Sequence, residues 1–244
     1  MAVCPHCGQM IETEGDICSA CGQPLRVSAE PAGLPAFPEQ VHIGEVKSGD
    51  YFRTGWELFK KFPGGFIGYF IITLVITFVL KFIPIIGPLT TFVIAVPLNA
   101  GFFVVSAKLL KNQPPEFADF FSGFKLFPQL ALLGIVSSII ILIGFICLIV
   151  PGIYLVVGYV FALMLVLDRG LNFWPAMETS RRSVQTGWFK IFGLLLLLFL
   201  LNLVGILALG VGLLVTAPLS HCIITTAYDD IFGIKSAHLI SMRQ

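Results

Sequence analysis

Charged side chains are scarce in this sequence, and their scarcity restricts the class of protein. Asp, Glu, Lys and Arg make up 12% of the 244 residues, whereas an ordinary soluble domain carries about 25%. Hydrophobic residues make up 57%, and the mean hydropathy is +0.92. So few charges cannot cover the surface of a soluble globule, which excludes a soluble enzyme, a secreted disulfide-rich mini-protein and a disordered regulator. The composition predicts an all-α polytopic membrane protein with a small soluble head, and the net charge of +1 indicates no particular partner.

We also expect no secretory signal peptide, because no Lys or Arg precedes Arg26 and the N-terminal stretch is rich in cysteine. The first long hydrophobic run must therefore act as the signal for membrane insertion. Residues 1–26 hold four of the six cysteines, and residues 27–50 are rich in Pro, Ala, Gly and Glu. We predict a small metal-binding domain over 1–26, a flexible Pro-rich linker over 27–50 and a transmembrane domain over 51–244.

Six apolar runs approach the length of about 20 residues that a helix needs to cross a bilayer. The third and fourth runs meet at Pro151-Gly152 and the fifth and sixth at Gly210, and neither junction carries a charge. We therefore expect tight helical hairpins there rather than single long spans. The six predicted spans are residues 64–80, 89–109, 128–150, 152–167, 188–209 and 211–228.

The basic residues lie almost entirely on one side of these spans. Lys81 is the one cation of the three loops that join the first to the second, the third to the fourth and the fifth to the sixth span. The positive-inside rule then places both termini in the cytoplasm and the protein in the cell membrane as a multi-pass protein. The remaining cations beside the spans are Arg53, Lys60, Lys61, Lys108, Lys111, Lys125, Arg169, Arg181, Arg182, Lys190, Lys235 and Arg243.

Three similar segments, residues 55–60, 123–127 and 187–192, each precede a pair of spans. The repetition therefore predicts that the membrane part consists of three repeats, each an amphipathic lead-in helix followed by a helical hairpin. In the lead-ins, aromatic residues such as Phe52, Trp56 and Phe59 alternate at helical spacing with charged residues, as in helices that lie at the headgroup level. We expect these helices to position the hairpins. The alternative is that Arg181 and Arg182 of the third lead-in bind anionic lipid headgroups.

Two Cys-x-x-Cys pairs, each followed by Gly, stand ten residues apart in the head. Two such pairs complete a closed tetrahedral site, so the pattern predicts a structural Zn²⁺ bound as in a zinc ribbon. An iron site is the alternative, and disulfides are disfavoured in a reducing cytosol. Because so short a segment cannot bury a core, the metal would supply its folding energy. The predicted ligands are Cys4, Cys7, Cys18 and Cys21.

The charge of the head argues against a nucleic-acid partner. Before Arg26 it carries Glu12, Glu14 and Asp16 without any Lys or Arg, and Zn²⁺ with four thiolates adds two further negative charges. Nucleic-acid binding needs a basic surface. We therefore expect this module to contact a protein partner or to dock onto the rest of this protein.

The membrane part contains several short motifs, which are Gly55-Trp56-Glu57-Leu58-Phe59, Pro151-Gly152-Ile153-Tyr154 leading to Asp168, Ala176-Met177-Glu178-Thr179-Ser180 with Gly187-Trp188, and Pro218 leading to Tyr228-Asp229-Asp230. These motifs resemble those of a superfamily of six-span bacterial membrane proteins, which includes the membrane domain of some glycerophosphodiester phosphodiesterases. The head is similar to the short zinc ribbon at the N-terminus of many bacterial membrane proteins. The resemblance implies a fold and a membrane location, and it implies no activity, because no phosphodiesterase domain is present.

Inside the spans the sequence offers little chemistry: no acidic residue lies mid-span, and neither His-Glu-x-x-His nor Gly-x-Ser-x-Gly occurs. We therefore predict a non-enzymatic protein. Asn99 and His221 follow prolines in spans two and six, and we expect them to meet Asn202 in an intramembrane polar cluster, as a structural clasp or as a solute site. The predicted function is binding of a protein or lipid partner. The alternative is a small-solute transporter or channel that uses the Pro-broken spans two and six.

Overall fold

The computed structural model describes residues 43–82, 87–208 and 210–235 and two short strands near the N-terminus; in 87–92 it describes the backbone alone. The predicted zinc ligands Cys4, Cys7, Cys18 and Cys21 and the predicted linker up to residue 42 lie outside the described residues. The chain divides into two compact units, residues 1–37 and 38–244.

In the first unit, strand β1 (Ala2–Val3) pairs antiparallel with strand β2 (Met10–Ile11). Ala2 lies opposite Ile11 and Val3 opposite Met10. The two strands therefore form one short ladder, and the first predicted Cys-x-x-Cys pair lies between them in the sequence.

The described part of the second unit is helical. Consecutive long helices are joined by short connections and pack against each other as neighbours, in the pairs α2–α3, α4–α5 and α8–α9. The helices are α1 Ser48–Lys61, α2 Pro63–Lys81, α3 Gly87–Leu110, a 3₁₀ helix Phe117–Leu126, α4 Phe127–Cys147, α5 Ile149–Gly158, α6 Ala162–Arg169, α7 Phe173–Gln185, α8 Trp188–Leu207 and α9 Leu213–Phe232.

Five segments of the described chain are long and apolar enough to cross a membrane. They are Pro63–Lys81, Val93–Leu110, Phe117–Cys147, Ile149–Arg169 and Trp188–Leu207. Helix α9, the predicted sixth span, has 20 residues but includes Ser220, His221, Asp229 and Asp230 and is not among them. The protein is thus a helical membrane protein of several spans, as the composition predicted.

The turn between the third and fourth predicted spans lies earlier than expected. Leu148, in extended conformation, separates α4 from α5. Pro151 instead occupies the first turn of α5, where a missing N–H costs no helical hydrogen bond. Gly144 and Gly152 face each other across this turn: a Cβ on Gly144 would lie 3.2 Å from the backbone of Gly152.

The fourth predicted span is also broken, between α5 and α6 at residues 159–161. Ser180 of α7 bridges the break: its hydroxyl donates to the Gly158 carbonyl at 2.6 Å and accepts from the Phe161 N–H at 3.2 Å. Ser180 is fully buried. One side chain of α7 therefore satisfies two backbone groups that a continuous helix would have paired internally.

The second and third lead-ins each pack against the second helix of the preceding pair. The first lead-in, which has no preceding pair, packs against the last helix. The 3₁₀ helix packs on α3, α7 packs on α5 and α6, and α1 packs on α9. Glycines allow the close approach: a Cβ on Gly55 would lie 2.6 Å from the Ile223 side chain, and one on Gly123 would lie 2.6 Å from the Pro97 carbonyl. The lead-ins thus cross-link neighbouring helix pairs.

The lead-ins differ from the sequence prediction in detail. The buried face of α1 consists of Tyr51, Gly55, Leu58 and Phe59, whereas Trp56 is 44% exposed. The second lead-in is a 3₁₀ helix and not an α-helix, and Glu116 with Asp119 forms a capping box at its start. Its Phe120 is buried between α2 and α3, where it stacks on Tyr69 at 4.4 Å between ring centroids.

Candidate functional site

An ionic cluster of three side chains lies in the last two turns of α7, the helix that precedes α8. Glu178 accepts two hydrogen bonds from Arg181, from Nε at 2.9 Å and from Nη2 at 2.7 Å, and one from Arg182 Nε at 2.5 Å. The three residues stand at i, i+3 and i+4, the spacing at which side chains meet on a helix surface. The structure thereby brings together both predicted headgroup residues on a single carboxylate.

Electrostatics keep this cluster charged. Hydrogen bonds from Arg181 and then Arg182 outweigh desolvation and lower the pKa of Glu178 to about 2. The hydrogen bonds that Arg181 donates to Glu178 in turn raise the pKa of Arg181 above its usual value. Glu178 and Arg181 are therefore ionised at neutral pH, and the cluster contains two arginines for one carboxylate. The arginine side chains remain 29% and 38% exposed.

Aromatic side chains surround the cluster on the side of α5 and α8. Arg181 packs over Gly158, where a Cβ would lie 3.3 Å from the Cγ atom of Arg181. Tyr154 also contributes to raising the pKa of Arg181. The indole N–H of Trp188 donates to the Tyr154 carbonyl at 3.4 Å, and the two rings stack 6.2 Å apart. Beside the arginines, Gln185 and Thr186 complete the lining of an open depression of about 490 Å³. Tyr and Trp beside Arg are typical of the membrane–water boundary.

The predicted intramembrane cluster has a different arrangement, because its three members have separate partners. Asn99 donates to the Ala95 carbonyl of its own helix at 2.8 Å. Asn202 donates to the Leu198 carbonyl and to the Ser220 hydroxyl, each at 2.8 Å. The structure therefore does not join the three side chains into one site.

The imidazole ring of His221 in α9 stacks on the ring of Phe102 in α3, with 4.7 Å between ring centroids and 6° between ring planes. Next to it, the Cys222 thiol lies 3.5 Å from the Ser106 hydroxyl. Amide side chains can satisfy themselves on a carbonyl four residues back, and an aromatic face accommodates a flat imidazole. Each of the three residues thus has a contact of its own, while the buried Oδ1 atom of Asn202 has no hydrogen-bond partner within the described residues.

A second set of polar contacts, which the sequence reading did not assign, links the ends of α6 and α9 to other helices. The buried Asp168 accepts from the Tyr228 hydroxyl at 3.0 Å and from the Lys235 N–H at 2.8 Å. Asp230 accepts from the Tyr51 hydroxyl of α1 at 2.5 Å. Carboxylates near a helix C-terminus interact unfavourably with the helix dipole. The positions of Asp168 near the end of α6 and of Asp230 near the end of α9 were therefore a signal that they have partners elsewhere.

Two ion pairs complete this set. Lys108 of α3 lies 2.5 Å from Asp119 of the 3₁₀ helix, and both side chains are about nine-tenths buried. Lys111 lies 3.2 Å from Asp229 in a more exposed pair. The first pair holds the 3₁₀ helix to α3, and the second joins the end of α3 to α9, so both have a structural role.

The last features of the described residues concern metal binding and cysteines. Within the described residues, no group of three or more His, Cys, Asp or Glu side chains is placed to hold a metal ion. Two cysteines are described, the exposed Cys147 and the buried Cys222, and neither forms a disulfide. No protein-family model, curated protein or solved structure matches this chain.

Proposed function

We propose that this chain is a non-enzymatic integral membrane protein that binds anionic lipid headgroups through α7 and a protein partner through a zinc-ribbon head. The observation that carries the lipid part is the clamp of Arg181 and Arg182 on Glu178, directly before α8. Glu178 orders both guanidinium groups, which lowers the entropy that a ligand must overcome.

Phosphate is the anion that this arrangement suits. Guanidinium groups bind phosphate with paired, directional hydrogen bonds, and Arg is preferred over Lys where such geometry matters. Helix α8 is one of the five candidate spans, so α7 precedes a membrane crossing by two residues. The phosphates nearest to such a helix are those of the lipid headgroups.

The experiment compares lipid retention by the purified full chain in vesicles of phosphatidylcholine with 20 mol% phosphatidylglycerol. An Arg side chain near an anionic surface is worth about 1 kcal/mol, so we expect R181Q to reduce the excess of bound phosphatidylglycerol about fivefold. The matched control is R53Q, which removes a cation that is 82% exposed from another lead-in. Equal retention by wild type and R181Q, with R53Q unchanged, would exclude α7 as the lipid site.

The zinc ribbon is supported by the spacing of the four cysteines and by the antiparallel pairing of β1 with β2 around the first pair. The acidic character of the head favours a protein over a nucleic acid as its partner. Metal analysis of the purified full chain tests the site: we expect one zinc per chain, and less than half an equivalent would contradict it. The variant C4S plus C18S should lose the metal.

For the membrane part we propose six spans in three hairpins, with both termini in the cytoplasm and with kinship to the six-span superfamily. The close contact of α8 with α9 supports α9 as the sixth span, because a Cβ on Gly205 would lie 3.1 Å from the Gly212 backbone. Small residues that bring backbones together are typical of helix pairs in membranes.

Solute transport through the Pro-broken helices is the weaker proposal. Pro97 lies inside α3 and Pro218 inside α9, as a broken-helix site requires. However, Phe102 and His221 stack directly between these two helices, and Leu98 beside Pro97 is fully buried. This packing favours a structural role for the prolines.

A further inference from the structure

A cleft of about 250 Å³ opens between α3, α4 and the broken helix α5–α6. All these helices belong to candidate membrane spans. The lining is mainly aliphatic, and its polar members are Asn99, Ser137 and Tyr159. Asn99 and Ser137 bond to carbonyls of their own helices, at 2.8 Å and 3.1 Å. The cleft thus offers an apolar surface within the part of the protein that faces hydrocarbon.

The break that forms one wall of the cleft also adjoins the α7 cluster. Tyr159 and Val160 of the break line the cleft, and the preceding Gly158 lies against the Arg181 side chain. Tyr159 is close enough to Arg181 and Glu178 to interact with both electrostatically. An apolar cleft and a cationic cluster therefore share one short segment of backbone, which Ser180 holds in place.

From this juxtaposition we infer that the protein holds a single anionic phospholipid, with its phosphate at Arg181 and one acyl chain in the cleft. The inference rests on the proposed lipid-binding function and adds a site for the chain. The positive cluster selects the charge of the ligand, and the aliphatic lining selects hydrocarbon over a polar solute. A neutral lipid or a second copy of this chain would use the apolar surface without the arginine.

The test uses phosphatidylglycerol with a photoreactive diazirine midway along one acyl chain, in phosphatidylcholine vesicles that contain the full-length protein. After illumination, peptide mass spectrometry locates the adducts. We expect them to concentrate on cleft residues such as Ile141, Val156 and Leu163. The variant S137F, which places a ring in the cleft, should reduce these adducts at least fivefold. The control L132F adds the same ring to an outward position of α4 that is 45% exposed, and it should leave them unchanged.

The variants and lipids in this experiment separate two proposals, headgroup binding by α7 and acyl-chain binding in the cleft. Unchanged cleft adducts in S137F would overturn the acyl-chain site, while a reduced phosphatidylglycerol retention in R181Q would still support headgroup binding by α7. Equal cleft labelling by photoreactive phosphatidylcholine would overturn the anionic ligand at this cleft. We expect R181Q to lower the cleft adducts of phosphatidylglycerol about fivefold and those of phosphatidylcholine not at all.

Discussion

The hairpin tips and the belt of lead-in helices are both rich in apolar residues, yet they place them in opposite surroundings. At the tip between α4 and α5, Leu148 is 68% and Val150 is 76% exposed, and Leu207 at the end of α8 is 75% exposed. In the belt, which consists of α1, the 3₁₀ helix and α7 with the helix segments they pack on, Leu98 and Tyr228 are fully buried.

The difference shows that the apolar side chains of the two regions have different surroundings, the lipid bilayer at the tips and the protein interior in the belt. Contiguous apolar surface is unfavourable in water, so the exposed apolar helix ends beside the tips need a bilayer around them. The belt buries its side chains within the protein and fixes its packing with glycines, ion pairs and hydrogen bonds. Substitutions should therefore have large effects on folding in the belt and small effects at the tips.

The largest effect is expected from the buried ion pair of the belt. K108M leaves the Asp119 carboxylate buried without its cation, which costs about 3–5 kcal/mol of unfolding free energy. The matched control is K111M, which breaks the more exposed pair with Asp229 and should cost less than about 1 kcal/mol. Unfolding in mixed detergent measures both. Equal losses in the two variants would show that burial does not distinguish the pairs.

A leucine pair compares the two regions directly. L98A removes a fully buried side chain from the belt and should cost about 2–5 kcal/mol. L148A removes an exposed one from a tip and should change the unfolding free energy by less than about 0.5 kcal/mol. The same unfolding assay applies, and a destabilisation by L148A as large as that by L98A would contradict the assignment of the tip to the lipid.

A glycine pair tests the close contacts of the belt. G55V forces a side chain into Ile223 and should cost about 1–3 kcal/mol through overpacking. At Gly68 of α2 a Cβ would meet nothing within 4 Å, so G68A should stabilise the helix by up to about 1 kcal/mol. Thermal unfolding in detergent distinguishes them by the sign of the shift, and a neutral G55V would mean that α1 does not pack on α9 as described.

The smallest effect concerns the pH dependence of the α7 cluster. The pKa of Glu178 is lowered to about 2 from 4.5, so its stabilisation is fully present above about pH 4.5 and is lost as the pH falls towards 2. We expect the melting temperature of wild type to fall towards that of E178Q over this range. A difference between the two proteins that stays constant from pH 6 to pH 3 would exclude an ionised Glu178 as its source.

Much of the helical organisation was predictable because apolar runs and lead-in motifs extend over many residues. Five of the six predicted spans correspond to candidate spans. The break at 159–161 was missed because no proline marks it and because its partner, Ser180, comes from α7. The 3₁₀ form of the second lead-in was missed as well, since its aromatic spacing also suits an α-helix.

For the candidate sites, the sequence predicted contacts between residues of one helix better than contacts between residues of different helices. Arg181 and Arg182 lie on one helix turn with Glu178, so their grouping follows from sequence separation. Asn99, Asn202 and His221 lie on three helices, and polar type alone did not specify which neighbours they have. The pairs Tyr51–Asp230 and Asp168–Tyr228 depend in the same way on tertiary packing.

The central claim is that the helices cross the bilayer as three hairpins, with the belt on the cytoplasmic side. Single cysteines replacing Arg53, Val211 and Lys235 test it with a membrane-impermeant maleimide, in inverted vesicles and in spheroplasts. Peptide mass spectrometry reads each position separately, so the native cysteines can stay. Arg53 precedes α2, Val211 joins α8 to α9, and Lys235 follows α9. We expect positions 53 and 235 to react in inverted vesicles and position 211 in spheroplasts. Reaction of positions 211 and 235 from the same side would contradict the account, because α9 would then not cross the membrane.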